Sequence, residues 1–439
     1  IQDAQFLDPS TGKRFMVIGQ DYQPGGQAAA GTGAGDPLSN ATTCLRDAAL
    51  MQNLGVNCVR SYNLDPAADH DACVSLLDHA GLYLLIDVNT PLDGQYIDRS
   101  APLSTYTEAY MRHVFAVLEA FMRYPNVLGF FAGNEIINSA ATASSNPPVI
   151  RAVQRDMKAY LAAHAPRAIP VGYSAADVRA LLADSWAYLS CRSSDSDSHS
   201  DFFGVNTYGW CGADDTFASS GYDDLAALFG NASVPVFLSE FGCNAAQPRA
   251  FGEIPSLYGP EMRALSGGLV YEWTQEESNY GVIDAFTNGS AQLRADYTKL
   301  KSLYAALNLT LLQSASPSSS SSSPPSCASS SFASTSLPSP PPGVAALIAS
   351  GLSNPPRGAL VAVTRTSVQA DVYGTSGARI ESLAIRSMAE ANLPGAEALE
   401  TEPVDEASST SSARAAPTRA VGVGAVLCAG VGLVGAGAL

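Results

Sequence analysis

The sequence predicts an α/β chain folded as a (β/α)8 barrel, the TIM-barrel architecture. Eight short apolar runs recur across the first three hundred residues, separated by stretches that include several with helical periodicity. No phosphate-binding glycine turn follows the first run, as a doubly wound sheet would require. The residues that end the runs are carboxylates, amides and phenols, and the carboxyl ends of barrel strands are where such a fold gathers its chemistry.

The expected strands are 15–20, 56–61, 83–87, 127–131, 169–173, 202–206, 236–240 and 268–271. Runs of this kind, rich in Val, Ile, Leu and Phe, suit parallel strands buried on both faces. Helical patterns occupy 43–54, 71–79, 106–124, 149–164 and 177–182, with apolar residues on one stripe. The Gly31-Thr-Gly33-Ala-Gly35 stretch lacks G-x-G-x-x-G spacing and lies well past the first run, so it reads as a loop. The catalytic unit is expected to span 1–313.

Composition changes abruptly near Ser314. Residues 314–343 are almost wholly Ser, Pro and small residues, including Ser318 to Ser323. Such a stretch has too little apolar surface to offset its ordering entropy and reads as a disordered, O-glycosylated stalk. Cys327 within it calls for a disulfide that pins it to the globular part. Residues 344–395 read as a small β-like appendage, from the partial alternation of Leu360, Val361 and Val363 and then Val368, Ala370 and Val372. A polar spacer, 396–419, then precedes an uncharged apolar tail, 420–439. The tail is long enough to span a bilayer, but no Lys or Arg follows it. Small residues Ser408–Ser412, the spacer and the tail fit a GPI-attachment signal better, with Cys428 discarded along with the tail.

The chain has 24 Lys+Arg and 41 Asp+Glu, a net charge of −17, which argues against nucleic acid as a partner. None of the eight cysteines forms C-x-x-C and no H-E-x-x-H occurs, so neither a metal nor a cofactor is expected. Wide cysteine spacing and four N-x-[ST] sequons, at Asn40, Asn231, Asn288 and Asn308, fit a secreted glycoprotein.

The strand ends read Gln23, Arg60 to Tyr62, Asp87, Asn134–Glu135, Tyr173, Asn206 with Tyr208, Glu240, and Tyr271–Glu272. Glu135 and Glu240 each follow a strongly apolar strand. One buried Glu alone would read as the partner of an arginine such as Arg60; two, ending strands four and seven, point to paired carboxylates. Glycosidic-bond chemistry needs such a pair, one protonated to release the leaving oxygen and one ionised to attack the anomeric carbon. Asn134 is a suitable donor to a sugar 2-hydroxyl. Tyr22, Tyr62, Tyr208, Trp210, Tyr271 and Trp273 offer aromatic faces for sugar rings.

Ordered motifs run through residues 5–310: Asp21-Tyr-Gln-Pro-Gly-Gly26, Cys44-Leu-Arg-Asp47, Gly133-Asn-Glu135, Ile169-Pro-Val-Gly-Tyr-Ser-Ala-Ala-Asp177, Tyr208-Gly-Trp-Cys-Gly212, Ser239-Glu-Phe-Gly-Cys-Asn244, Ser266-Gly-Gly-Leu-Val-Tyr-Glu-Trp273 and Asn279-Tyr-Gly281. Together they resemble the fungal β-1,3-glucanosyltransferases of glycoside hydrolase family 72. The resemblance implies a retaining, GPI-anchored, cell-surface enzyme that cuts a β-1,3-glucan and passes the new reducing end to the non-reducing end of another. It implies Glu135 as acid/base and Glu240 as nucleophile, with Gln23, Tyr62, Asp87, Asn134, Asn206, Tyr208 and Tyr271 binding substrate. It further implies disulfides Cys44–Cys73, Cys211–Cys243 and Cys191–Cys327, with Cys58 a buried free thiol. The Cys-rich carbohydrate-binding module of some members is not expected here, since only Cys327 and Cys428 lie beyond residue 243. A monomer is expected, with glucan donor and acceptor chains as partners.

Overall fold

A computed structural model describes residues 1–387, apart from 3, 9–10, 33–34, 193–196, 315–322, 328–331 and 333–335. Most of the Ser318–Ser323 run, the polar spacer 396–419 and the apolar tail 420–439 with Cys428 lie outside the described residues.

Eight parallel strands close into a barrel: β1 Val17–Tyr22, β2 Cys58–Ser61, β3 Tyr83–Asp87, β4 Val127–Asn134, β5 Val171–Ala176, β6 Phe203–Asn206, β7 Val236–Phe241 and β8 Gly267–Val270. Closure comes from β8 lying beside β1, with Gly267 opposite Val17 and Val270 opposite Gln20. The longer helices between them are α1 Ala41–Leu54, α2 Asp71–His79, α3 Glu108–Phe121, α4 Pro147–His164, α5 Arg179–Ser190 and α6 Tyr222–Phe229, and α7 Ala295–Ala305 follows the barrel. Helices α6 and α7 go beyond the sequence expectation. The β7–β8 crossover holds only the single turn Ile254–Leu257 and a 3-10 turn, Pro260–Met262.

Local chemistry sets the helix ends. Asn40 caps α1 by accepting from the backbone N–H groups of Thr42 and Thr43, and Gly55 ends it in the left-handed conformation. Thr107 caps α3 through Tyr110 N–H.

The amino-terminal half of the barrel interior is filled with apolar side chains: Phe6, Phe15, Val17, Cys58, Leu85, Phe131, Phe202, Phe237 and Leu269. Phe6 comes from the short ribbon Phe6–Leu7/Arg14–Phe15 and lies 6.0 Å from the Phe237 ring and 6.3 Å from that of Phe202. Gly172 gives the Phe202 ring its room, since a Cβ there would meet the ring at 2.4 Å. With this end packed dry, polar side chains collect at the other.

Of the segment read as a β-like appendage, residues 344–387 are described. They contain a helix, α8 Val344–Ser350, which packs on α3 and α4. Leu360 and Val361 are exposed and form no strand; the chain there runs along α2, Ala359 N donating to Asp71 and Val361 N to Ser75. The strand β11, Val372–Tyr373, joins the ribbon β9 Ile283–Ala285 and β10 Ala291–Leu293. Its alternation is too short to build a sheet of its own, so it completes one that starts in the barrel unit.

Disulfides join Cys44 to Cys73, Cys211 to Cys243 and Cys191 to Cys327, and Cys58 is a buried free thiol. Cys191–Cys327 ties the Ser/Pro-rich stretch to the end of α5. Among the described residues no helix is long and apolar enough to cross a membrane.

Truncating the barrel plug is expected to be costly. Phe6→Ala should lower unfolding stability by about 3 kcal/mol, read from urea denaturation, because the surrounding rings cannot collapse into the space.

Candidate active site

Irregular register at the carboxyl ends aims the polar side chains. The β4–β5 pairing shifts between Phe131 and Asn134, and the β6–β7 pairing between Val205 and Asn206, which sets Asn206 opposite Glu240. Glu135 leaves β4 at φ 49, an uncommon left-handed conformation, with its N–H bonded to Ser174 O at 2.8 Å.

Arg60, fully buried, is the centre of the constellation. Its Nε and Nη2 donate to the two Asp87 oxygens at 2.7 and 3.1 Å. Nη1 reaches Glu240 Oε1 at 3.2 Å and Ser239 O at 3.1 Å, and Nη2 also reaches Asn134 Oδ1 at 3.1 Å. Its guanidinium lies 4.5 Å from the Tyr62 ring centroid and 4.4 Å from that of Phe131. Glu240 therefore does have the arginine partner that the bland reading of a buried Glu supposes, yet it also faces the other groups of the site. Tyr62 donates to its Oε1 at 3.0 Å and Tyr208 to its Oε2 at 2.8 Å.

Glu135 sits in a different setting. Its Oε1 accepts from Asn206 Nδ2 at 3.0 Å, and the same amide donates to Asn134 Oδ1 at 2.9 Å. The Ser174 and Ser239 hydroxyls hold Asn206 Oδ1 at 2.9 and 2.7 Å, which fixes the amide's orientation.

Charge is crowded here. Burial pushes Glu240 up to about 7 against the pull of Arg60, and the neighbouring Glu135 charge adds to the rise. Burial likewise raises Asp21, on β1, well above the usual carboxylate range, and raises Asp87 despite its bidentate arginine. Glu272, just past β8, is pushed by burial to about 7, with Ser278 donating to its Oε1 at 2.9 Å.

Seven of the nine expected site residues form one hydrogen-bonded network: Tyr62, Asp87, Asn134, Glu135, Asn206, Tyr208 and Glu240. Tyr271 joins through ring contacts with Tyr208 and Tyr280. Gln23 is buried just past β1 and makes no side-chain hydrogen bond among the described residues. The aromatic expectation needs correcting. Tyr22, Trp210 and Trp273 are buried core residues, Tyr22 being bonded to Asp47. Tyr173 is also core, accepting from Ile137 N beneath the site. Tyr208, Tyr271 and the unanticipated Tyr280 present partly exposed rings beside Glu240. Sequence reasoning also missed Ser174, Ser239 and the extent of Arg60's role. A cation inside an apolar strand was the available signal for the last, since burial demands partners.

Asp197, His199 and Asp201 approach one another closely enough to hold a cation. Lys158 Nζ already lies 2.7 Å from each of the two aspartates, however, beside a cavity of about 940 Å³ lined by Arg167, Ile169 and Val234. These last residues precede β5 and β7, so the cluster belongs to the end of the barrel away from the carboxylates.

The family model described as Glucanosyltransferase matches residues 1–308. The chain is 45% identical over 405 residues to 1,3-beta-glucanosyltransferase gel2 of Aspergillus fumigatus, covering 90% of this chain and 84% of that one. It is 48% identical over 306 residues to 1,3-beta-glucanosyltransferase GAS4 of Saccharomyces cerevisiae, covering 69% of this chain and 64% of that one. Among solved structures, Saccharomyces cerevisiae Gas2p in complex with laminaripentaose matches with a TM-score of 0.65 at 36% identity, over 70% of this chain and 69% of that one.

The raised carboxyls have a pH signature. Glu240, Glu253 and Glu272 are each lifted from 4.5 to about 7, so between these values the folded protein binds protons that the unfolded chain has released. Their effect is least destabilising below 4.5, grows as pH rises and levels off above about 7. The melting temperature should therefore be several degrees higher near about pH 5 than near about pH 7.5, as calorimetry can check. A Glu253→Gln, Glu272→Gln double variant should reduce that difference.

Proposed function

We propose, for a chain that belongs to the glucanosyltransferase family of glycoside hydrolases (family 72), the activity of a retaining β-1,3-glucanosyltransferase. It cleaves a β-1,3-glucan and transfers the new reducing end to the non-reducing end of another glucan. The observation that carries the reading is the unequal setting of two carboxylates at the ends of β4 and β7. Every side-chain partner of Glu240 is a donor, namely Arg60, Tyr62 and Tyr208, which suits an ionised nucleophile. Glu135 receives one amide donor, and its Oε2 has no hydrogen-bond partner among the described residues.

The steps follow from these roles. Glu135 gives its proton to the glycosidic oxygen as Glu240 attacks the anomeric carbon; the C–O bond breaks and a glycosyl ester forms on Glu240. The truncated leaving chain departs. Glu135, now ionised, takes the proton of an acceptor hydroxyl, whose oxygen displaces Glu240 and restores its carboxylate. Asn134, its carbonyl oxygen held by Arg60 and Asn206, keeps its amide nitrogen for the sugar 2-hydroxyl. Tyr62 and Asp87 hold the nucleophile and its arginine, and Tyr208, Tyr271 and Gln23 line the substrate path.

The same reading places the enzyme at the cell surface, as a monomer anchored to plasma membrane or wall through a GPI group added within 396–419. The exposure of all four sequon asparagines and the three disulfides support a secretory route.

Incubation with a reduced laminari-oligosaccharide tests the activity. Products longer than the substrate are expected, and products that are only shorter would show a hydrolase. Glu240→Gln should lower turnover on the order of a thousandfold or more while glucan binding persists; full activity in that variant would remove Glu240 from the nucleophile's role. Membranes from cells making the full chain should release it on treatment with a phosphatidylinositol-specific phospholipase, and retention would refute the anchor.

A further inference from the structure

Once a glycosyl ester stands on Glu240, an acceptor hydroxyl and water compete for it. The winner depends on groups that hold a sugar in place and keep solvent away. The carboxylates themselves do not distinguish the two. The partly exposed rings of Tyr208, Tyr271 and Tyr280 lie beside Glu240, their centroids 5.2 to 6.4 Å apart, and Tyr208 is bonded to Glu240 itself. What fixes this wall is a group outside the catalytic network.

That group is Arg249, 2% exposed, in the β7–β8 crossover. Asp296, in the first turn of α7, orients it. Arg249 Nε donates to Asp296 Oδ2 at 2.6 Å, and the Arg249 backbone N–H to Oδ1 at 3.0 Å. The rest of the fork then meets three backbone carbonyls. Nη1 donates to Gly242 O at 3.0 Å and to Tyr271 O at 2.7 Å, and Nη2 donates to Tyr280 O. Gly242 lies two residues past Glu240, whereas Tyr271 and Tyr280 follow β8. One planar cation thus ties the nucleophile's strand to the loop carrying two of the three rings. A lysine has no fork with which to reach all three carbonyls while keeping its aspartate.

We propose that the buried Arg249–Asp296 pair is a positioning device that sets transfer against hydrolysis by registering the tyrosine wall with Glu240. The inference rests on the transferase reading above. Arg249 and Asp296 act through Tyr271 and Tyr280 rather than on the sugar.

The test measures, for each purified full-length variant, products longer and shorter than a reduced laminari-oligosaccharide donor, with acceptor concentration varied. In Arg249→Lys and Asp296→Asn the ratio of transfer to hydrolysis should fall on the order of tenfold. The KM for acceptor should rise while that for donor stays near the wild-type value. Tyr280→Ala, which leaves the buried pair intact, should lower the ratio similarly, and adding Arg249→Lys should lower it little further, because both act on one wall. A ratio unchanged in the folded variants, or equal losses in both rates, would reduce the pair to a structural role and overturn the inference. If Arg249→Lys and Asp296→Asn fail to fold, an unchanged ratio in Tyr280→Ala overturns it alone. A wild-type chain giving only shorter products overturns the transferase reading and this inference together, so the two failures are told apart.

Discussion

A single buried cation, Arg60, governs the polar end of this barrel. It has no exposed surface, so each unsatisfied donor would cost desolvation energy, and its position was viable only with acidic partners close by. Asp87 supplies a bidentate pair, Glu240 a second carboxylate and Asn134 an amide oxygen. Two aromatic faces close over the guanidinium. The residues expected to hold a glucan are thus the same residues that pay for burying a charge.

The arrangement is deliberately unbalanced. One guanidinium faces Asp21, Asp87 and Glu240, with Glu135 linked through amides, and a lone positive charge cannot stabilise that many negative ones in a dry site. Some of the carboxyls must hold protons into the weakly acidic range. A glycosidase needs that condition, since one carboxyl must donate while its neighbour attacks. Three donors converge on Glu240 and oppose its rise, favouring its charged form.

The barrel was legible because its strands are buried on both faces, so continuous apolar runs such as those at β3 and β7 announce themselves. Helix α6 was not, being eight residues long, and neither was the β9–β10 ribbon, whose strands of three residues carry too little pattern. The paired glutamates were legible as single acids after apolar strands. Their wiring was not. Asn206, Ser174 and Ser239 meet only because β5, β6 and β7 run side by side, and no spacing along the chain records that adjacency. Trp210 and Trp273 show the opposite error: a position near a strand end suggested a sugar platform, but their bulk goes into the core.

Two arginine–aspartate pairs divide the work at this end. Arg60–Asp87 lies inside the barrel and sets the charge that the carboxylates feel. Arg249–Asp296 lies between the crossover and α7 and bonds to backbone carbonyls, so what it fixes is position. The difference follows from the acceptors. A carboxylate answers a guanidinium by changing its proton affinity, whereas a carbonyl has no proton to exchange and can respond only by staying in place. A retaining transferase needs both answers, one for the step that makes the ester and one for the step that chooses what breaks it.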